Sequence, residues 1–110
     1  MGAAAPASAG PNTRLTFSIA PEIGVPRSVT LTCQPTGGTH PDAEAACADL
    51  IKANGVIERI PPGGGYCQPV ERRVVASATG LWNGRLVSYE RSFTNDCYAR
   101  IATGGHVFHF

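Results

Sequence analysis

The sequence predicts a small α+β domain in which a five-stranded antiparallel sheet packs against one main helix and a short second helix, with two disulfide bonds. Three observations carry this prediction. Several segments alternate apolar and polar residues between turns rich in Gly or Pro, which is typical of half-buried strands. A single segment has the apolar spacing and the start and stop signals of a substantial helix. The 110 residues include four cysteines, and none of their spacings gives the close Cys-x-x-Cys pair of a zinc or redox site.

The first two strands are predicted at residues 15–19 and 29–33. Both alternate apolar and polar side chains, and the connection between them contains two prolines and a glycine. Because residues 29, 31 and 33 share one face of a strand, the sulfur of Cys33 should point into the core. Residues 1–12 are small, Pro-containing and without period, so we expect a flexible arm ahead of a single domain that spans residues 13–110.

The main helix is predicted between Thr39 and Gly55, after a turn at residues 37 and 38. A proline near the first turn, early acidic residues and a terminal Asn-Gly are helix boundary signals in the correct order. Its apolar stripe consists of Ala43, Ala46, Cys47, Leu50 and Ile51. Such a stripe faces the core, so Cys47 should face the sheet, towards which Cys33 also points.

Three further strands are predicted in the second half of the chain. Strands at residues 74–78 and 85–93 flank Asn83-Gly84, a strong hairpin dipeptide. A short helical turn is predicted at residues 98–101. After two glycines, the alternating residues 106–110 predict a last strand.

Residues 63–73, with the sequence GGGYCQPVERR, are typical of a loop that is presented at the surface. Three consecutive glycines disfavour both helix and strand, and Pro69 biases Gln68 towards an extended conformation. Cys67 would tether one end. An extended, tethered segment suits insertion into the groove of another protein, although a disulfide-anchored surface loop without a role is the alternative.

Composition argues against nucleic acid and membranes as partners. The formal net charge is +1, with 15% charged residues, which gives no field that would concentrate the protein on an anionic surface. The sequence has no apolar leader and no 18-residue apolar run, and paired cysteines require an oxidising compartment. We therefore expect a mature chain, secreted to the extracellular space, with an added initiator Met1.

No metal, cofactor or catalytic activity is predicted. His40, His106 and His109 could be assembled with Asp42 or Glu44, but a strand would place the rings of His106 and His109 on opposite faces. Ser, His and Asp all occur, yet there is no nucleophile elbow.

Several short motifs resemble the Streptomyces subtilisin inhibitor family, and the resemblance runs from about residue 15 to residue 110. These motifs are Gly38-Thr39-His40-Pro41, Ala46-Cys47-Ala48-Asp49-Leu50, Val87-Ser88-Tyr89-Glu90-Arg91, Asn95-Asp96-Cys97 and Val107-Phe108-His109-Phe110. Members of this family are secreted, typically homodimeric proteins that block subtilisin-like serine proteases by substrate mimicry. The resemblance implies disulfides Cys33–Cys47 and Cys67–Cys97, and it implies that the loop after Cys67 is the reactive site.

Carried without gaps from Cys67, the resemblance places the reactive bond between Pro69 and Val70. It also implies that Asn95 supports the carbonyls of the loop, where the alternative is an ordinary turn asparagine. The remaining residues of the implied protease-binding loop are Gly65, Tyr66, Cys67, Gln68 and Glu71.

The chain departs from the family at this bond. Family members have proline directly after the cysteine and then, often, Met or Lys before the bond, whereas here Gln68 and Pro69 hold these positions. Proline lacks the N–H that a substrate gives to the protease backbone. A register shifted by one residue, with the bond between Val70 and Glu71, would suit an elastase-like pocket. The alternative function is the same scaffold binding another secreted enzyme, such as a metalloprotease or a transglutaminase, with weak subtilisin binding.

Overall fold

The computed structural model describes residues 12–110 as a five-stranded antiparallel sheet with two helices, which confirms the predicted fold class. The strand order is β3-β2-β1-β4-β5. The strands are β1 (Arg14–Pro21), β2 (Arg27–Thr32), β3 (Gly37–Gly38), β4 (Val74–Trp82) and β5 (Arg85–Phe93). The helices are α1 (Ala43–Lys52) and α2 (Asp96–Ala102), with a short 3-10 turn at Ile57–Arg59. The predicted arm lies outside the described residues except for Asn12, whose carbonyl accepts a hydrogen bond from the Gly84 N–H at 2.8 Å.

The sheet buries one face and exposes the other. On the central strand β1, Leu15, Phe17 and Ile19 are fully buried while the intervening side chains are not. On β4, Val74 and two alanines point to the same side. Both helices pack on this face, because their buried residues belong to the same apolar cluster as those of the strands. We call the opposite side of the sheet the outer face; its positions on β1 and β4 are Arg14, Thr16, Ser18, Ala20, Val75, Ser77, Thr79 and Leu81.

Helix α1 is fixed to the sheet by a disulfide and by three buried residues. Cys33 and Cys47 are joined, with their Cα atoms 5.7 Å apart, as the resemblance implies. Ala46, Cys47 and Leu50 are buried. The apolar stripe predicted that Ile51 faces the core, but Ile51 is 45% exposed. It lies at the margin of the helix face, one residue before the last helical position.

The prediction of a last strand at residues 106–110 is wrong. Val107 and Phe108 are consecutive and both buried, so this segment lacks the alternation of a strand. The Val107 carbonyl, which a strand would give to a neighbour, accepts a hydrogen bond from the His40 ring at 2.9 Å. The fifth strand is instead Gly37–Gly38, predicted as a turn, which pairs with the end of β2. Glycine there follows from close packing, because a Cβ on Gly38 would collide with the backbone carbonyl of Thr30.

The histidines tie the C-terminal segment to helix α1 and the loop before it. His40 Nδ1 accepts a hydrogen bond from the Asp42 N–H at 3.0 Å, so its Nε2 carries the proton donated to Val107. His106 pairs with Asp49 at 2.8 Å, and His109 lies 3.4 Å from an Asp42 oxygen. Within residues 12–110 no group of three or more His, Cys, Asp or Glu side chains could hold a metal ion. Over the same residues, no helix is both long and apolar enough to cross a membrane.

Candidate functional site

The candidate site is the segment at residues 65–73, which we call the binding loop. It connects the 3-10 turn to β4 and has no regular secondary structure. The side chains from residue 68 to residue 73 are all exposed, and Tyr66 is 80% exposed. Beneath the loop lie residues 94–97, which follow β5 and include the start of α2; we call them the base. The loop therefore projects from the domain while remaining in contact with it.

The N-terminal side of the binding loop is held by a glycine turn and a disulfide. Gly65 has φ +122°, a conformation that side chains disfavour. Cys67 is buried and joined to Cys97 at a Cα separation of 5.7 Å. The Tyr98 hydroxyl lies 3.4 Å from the Cys67 carbonyl oxygen, to which it can donate. This side of the loop is thus attached to the first turn of α2.

Asn95 holds the centre of the binding loop. Its Nδ2 donates to the carbonyl of Gln68 at 3.1 Å and to the carbonyl of Val70 at 2.7 Å. Its Oδ1 accepts from the Tyr98 N–H at 3.2 Å and so caps helix α2. The cap fixes which way the amide points, because only the nitrogen can then face the loop. Aspartate or serine could make the cap, but neither carries two donors.

The C-terminal side of the binding loop is held by backbone hydrogen bonds. The Arg72 N–H donates to the Thr94 carbonyl at 2.9 Å, and the Arg73 carbonyl accepts from the Glu22 N–H at 3.0 Å. The exposed side chains of Arg73 and Glu71 pair at 3.2 Å. Exposed ion pairs of this kind contribute about 0–1 kcal/mol, so the backbone contacts dominate. Both sides of the loop are therefore attached to the same short base.

The carbonyl of Pro69 lies between the two carbonyls that Asn95 binds. Within residues 12–110 no hydrogen bond uses the Pro69 carbonyl. Pro69 and its neighbours Gln68 and Val70 are exposed. The loop thus offers a free peptide carbonyl in an exposed segment that is braced on either side of it.

All the residues implied for the site lie together in the structure. Those from Gly65 to Glu71 form one continuous segment, and Asn95 and Cys97 lie directly beneath it. The sequence did not indicate Thr94, Tyr98 or Glu22 as loop anchors. Thr94 and Glu22 act through backbone atoms, which no side-chain pattern reveals. Tyr98 was placed in the short helix, and its contact depends on the orientation of that helix.

This combination of fold and site defines a class: small disulfide-bonded domains that hold an exposed, braced segment above a short base. A family model described as subtilisin inhibitor-like matches residues 11–95. Protease inhibitor SIL-V2 of Streptomyces orinoci is 44% identical over 82 residues, which cover 72% of this chain and 75% of that protein. Subtilisin inhibitor-like protein 4 of Streptomyces lavendulae is 46% identical over 86 residues, or 76% of this chain and 73% of that protein.

A solved structure shares this fold. It is the crystal structure of Streptomyces caespitosus sermetstatin in complex with Bacillus licheniformis subtilisin. The match has a TM-score of 0.69 and 29% sequence identity, and it covers 89% of this chain and 98% of the other. The chain belongs to the subtilisin inhibitor-like family. This family consists of protease inhibitors, so the protein is an inhibitor and not an enzyme.

Proposed function

We propose that this protein inhibits subtilisin-like serine proteases by presenting residues 65–73 as a substrate whose reactive bond joins Pro69 and Val70. Family membership supports the target class, as does the similarity to an inhibitor that was solved in complex with a subtilisin. The observation that carries the proposal is the pair of hydrogen bonds from Asn95 to the carbonyls of Gln68 and Val70.

These two hydrogen bonds favour one register of the reactive bond over the other. The carbonyl before the bond must enter the oxyanion hole of the protease, so it must be free to accept hydrogen bonds there. Pro69 meets this requirement. The shifted register would use the Val70 carbonyl, which already accepts from Asn95 at 2.7 Å. That register would require the brace to break on binding.

The anchoring of both sides of the loop explains how a cleavable segment can inhibit. When the protease serine attacks the Pro69 carbonyl carbon, the bond to the Val70 nitrogen breaks and that nitrogen leaves as an amine. The Arg72 and Arg73 backbone contacts keep this amine beside the acyl group. The acyl side is kept in place by the disulfide between Cys67 and Cys97. Re-formation of the bond then competes with hydrolysis, because the two reacting ends remain at a high effective concentration.

Preorganisation also favours tight binding. A flexible segment loses about 0.5–1.5 kcal/mol for each side chain that it immobilises on binding. The binding loop is already braced at its centre and on both sides in the free protein, so much of this cost is avoided. Interfaces of standard size reach high affinity when such costs are low.

The test compares two variants of Asn95 with the parent. Asn95→Ser keeps a helix-capping oxygen but removes the brace, whereas Asn95→Ala removes both. Each protein is titrated into the subtilisin of Bacillus licheniformis, and the slowly nicked inhibitor is sequenced. We expect the parent to inhibit and to give a new N-terminus at Val70. Both variants should be digested at least tenfold faster than the parent.

Two outcomes would contradict the proposal. A new N-terminus at Glu71 would establish the shifted register. If Asn95→Ser resists digestion as long as the parent, Asn95 acts only as a turn and helix-capping residue and does not brace the loop. Thermal unfolding of each variant serves as the control, since a loop effect should not require loss of the fold.

Pro69 is the feature that favours the second candidate, a scaffold that binds another secreted enzyme and subtilisin only weakly. Its ring removes the N–H at the position before the bond. The same titration with a metalloprotease and a transglutaminase distinguishes the candidates. Inhibition of either enzyme by the parent, without inhibition of subtilisin, would replace the primary proposal.

We further propose that the protein is secreted and forms a homodimer through the outer face. Its two disulfides are stable in an oxidising, extracellular setting. The outer positions of the central strands carry no charged side chain between residues 16 and 20 or between residues 75 and 81. Arg14 and Glu90 lie at the margins of this uncharged strip of the sheet, and such a strip can stack on its copy about a two-fold axis.

A further inference from the structure

We infer that the turn between β1 and β2 is a second contact surface for the same protease, beside the part of the cleft that binds residues after the reactive bond. This inference rests on the proposed function. The turn comprises residues 22–26, and its contact residues are Ile23 and Val25. The mechanism proposed for the binding loop assigns no role to these two side chains.

Ile23 and Val25 are unusually exposed for apolar side chains. Ile23 is 94% exposed and Val25 is 82% exposed. They flank Gly24 at the end of the hairpin, so neither packs against the core. Single exposed apolar residues are common, but a pair at the tip of a projecting turn next to a binding segment indicates an interaction surface.

The turn is attached to the binding loop and its base by one backbone hydrogen bond and one ion pair. The Glu22 N–H donates to the Arg73 carbonyl at 3.0 Å, on the loop side of the turn. Arg27, at the other end of the turn, pairs with Asp96 of the base at 2.9 Å. Prolines at positions 21 and 26 restrict the backbone on each side. The tip therefore keeps a defined position relative to the loop.

A groove separates the turn from the binding loop and shows which side of the bond the tip accompanies. One wall includes Pro21 and Ile23, and the other includes Val70, Glu71 and Arg72. Gln68, which precedes the bond, also borders the groove, but the other loop-side residues that line it, at positions 70–74, all follow the Pro69–Val70 bond. A protease fixes the direction of the chain it binds, so the residues after the bond lie along a known half of its cleft. The tip must then stand over the rim of that half.

The occupant that fits this surface is an apolar segment on the protease rim. Ile23 and Val25 offer no charge, so they favour an apolar partner. Two side chains are too small for an interface on their own, which needs about 800 Å² on each partner. A second copy of the chain is therefore a poor occupant. If the binding loop already holds the protease, the tip can bury both side chains against it without a second loss of translational and rotational freedom.

The experiment measures inhibition of Bacillus licheniformis subtilisin by tip variants in two backgrounds, the parent and Pro69→Met. The double variant Ile23→Ser/Val25→Ser removes the apolar tip, and Ile23→Leu/Val25→Leu restores it. Leu86→Ser is the matched control, because Leu86 is 87% exposed and lies on the outer face, away from the loop. Inhibition constants come from competition with a small chromogenic substrate, and dissociation rates come from surface plasmon resonance.

We expect the serine pair to weaken inhibition at least tenfold in either background, mainly through faster dissociation. The leucine pair should stay within about twofold of its background, and Leu86→Ser should leave inhibition unchanged. An unchanged inhibition constant for the serine pair, while its background inhibits, would overturn the second contact alone. Failure of both backgrounds to inhibit would remove the proposed function and, with it, this inference.

Two further readouts separate contact from other roles. If the serine pair lowers the melting temperature and accelerates nicking at the reactive bond, the turn supports the loop and the contact is refuted. If the serine pair changes sedimentation of the free inhibitor, the occupant is a second copy and the inference is wrong. Unchanged stability, nicking and sedimentation, together with weaker inhibition, would support it.

Discussion

At the scale of single residues, Asn95 shows why one residue type is needed. Its oxygen caps α2 and its nitrogen binds two loop carbonyls at 3.1 and 2.7 Å. The resemblance implied the brace from the position of Asn95 before the last cysteine. The sequence could not reveal that the cap orients the amide, because that depends on where Tyr98 lies in the folded chain.

Pro69→Met should strengthen inhibition of subtilisin. Methionine restores the missing N–H and offers a long, unbranched side chain to the pocket that receives the residue before the bond. We expect affinity to rise at least tenfold, or about 1.4 kcal/mol. The measurement is an inhibition constant, with Val70→Met as the control that should change little. A rise for Val70→Met and none for Pro69→Met would place the bond one residue later.

Tyr89 should make the protein less stable at alkaline pH. Burial raises the pKa of its hydroxyl above the ordinary value of 10.0, an effect partly opposed by Arg91. Below pH 10 the group is neutral in both states. As the pH rises through the unfolded pKa towards the folded one, ionisation favours the unfolded state and the free energy of unfolding falls.

Urea unfolding of Tyr89→Phe tests this statement. Between pH 8 and pH 11, the variant should lose less free energy of unfolding than the parent. Tyr66→Phe is the control, because Tyr66 is 80% exposed. Equal pH dependence in the parent and Tyr89→Phe would show that other groups govern alkaline unfolding.

At the scale of secondary-structure elements, strong local patterns in the sequence were sufficient to locate an element, and weak patterns were not. Alternation located β1, β2 and β5, a run of β-branched and small residues located the start of β4, and boundary signals located α1. Two elements were predicted wrongly. Gly37–Gly38 pairs with the end of β2 although it has no alternation, because its glycines allow close packing against the Thr30 backbone. The alternating segment 106–110 packs as turns beside His40, a contact across 67 residues that local pattern cannot supply.

The two disulfides should differ in what they stabilise. Cys67→Ser/Cys97→Ser removes a link between the exposed loop and α2, so the domain should stay folded while the protease digests the loop. Cys33→Ser/Cys47→Ser removes a link between α1 and the strand side of the core, both ends of which are buried. In the chain-entropy account both links are worth about 3–4 kcal/mol, slightly more for the longer Cys67–Cys97 loop, so the expected contrast rests on the burial of both ends of the Cys33–Cys47 link.

Thermal unfolding and digestion rates test this contrast together. Cys67→Ser/Cys97→Ser should accelerate digestion more and lower the melting temperature less. Cys33→Ser/Cys47→Ser should lower the melting temperature more and accelerate digestion less. If the Cys67 and Cys97 variant resists digestion as long as the parent, the brace from Asn95 alone supplies the rigidity of the loop.

At the scale of the whole molecule, the sheet has one covered face and one flat face. The fold class and the helical side were predictable, because a sheet with one main helix can cover only one face. Which residues form the outer face required the register, in which Thr16 pairs with Thr79 and Ser18 with Ser77. Their short side chains leave the face nearly level.

A charge at the centre of that face should disrupt the proposed homodimer. Ser77→Glu places a second carboxylate beside Glu90 where two copies would stack, so sedimentation at micromolar concentration should shift to the 11.5 kDa monomer. Glu44→Lys on the helical side is the control and should leave the dimer intact. A parent that sediments only as a monomer would exclude the dimer.

The attachment of the binding loop through backbone atoms separates what the protein recognises from what keeps it folded. Asn95, Thr94 and Glu22 bind main-chain groups of the loop, and the side chains from residue 68 to residue 72 reach solvent. These side chains can be exchanged with little effect on the core. We therefore expect a library randomised at these positions to retain its melting temperature while its target preference diversifies.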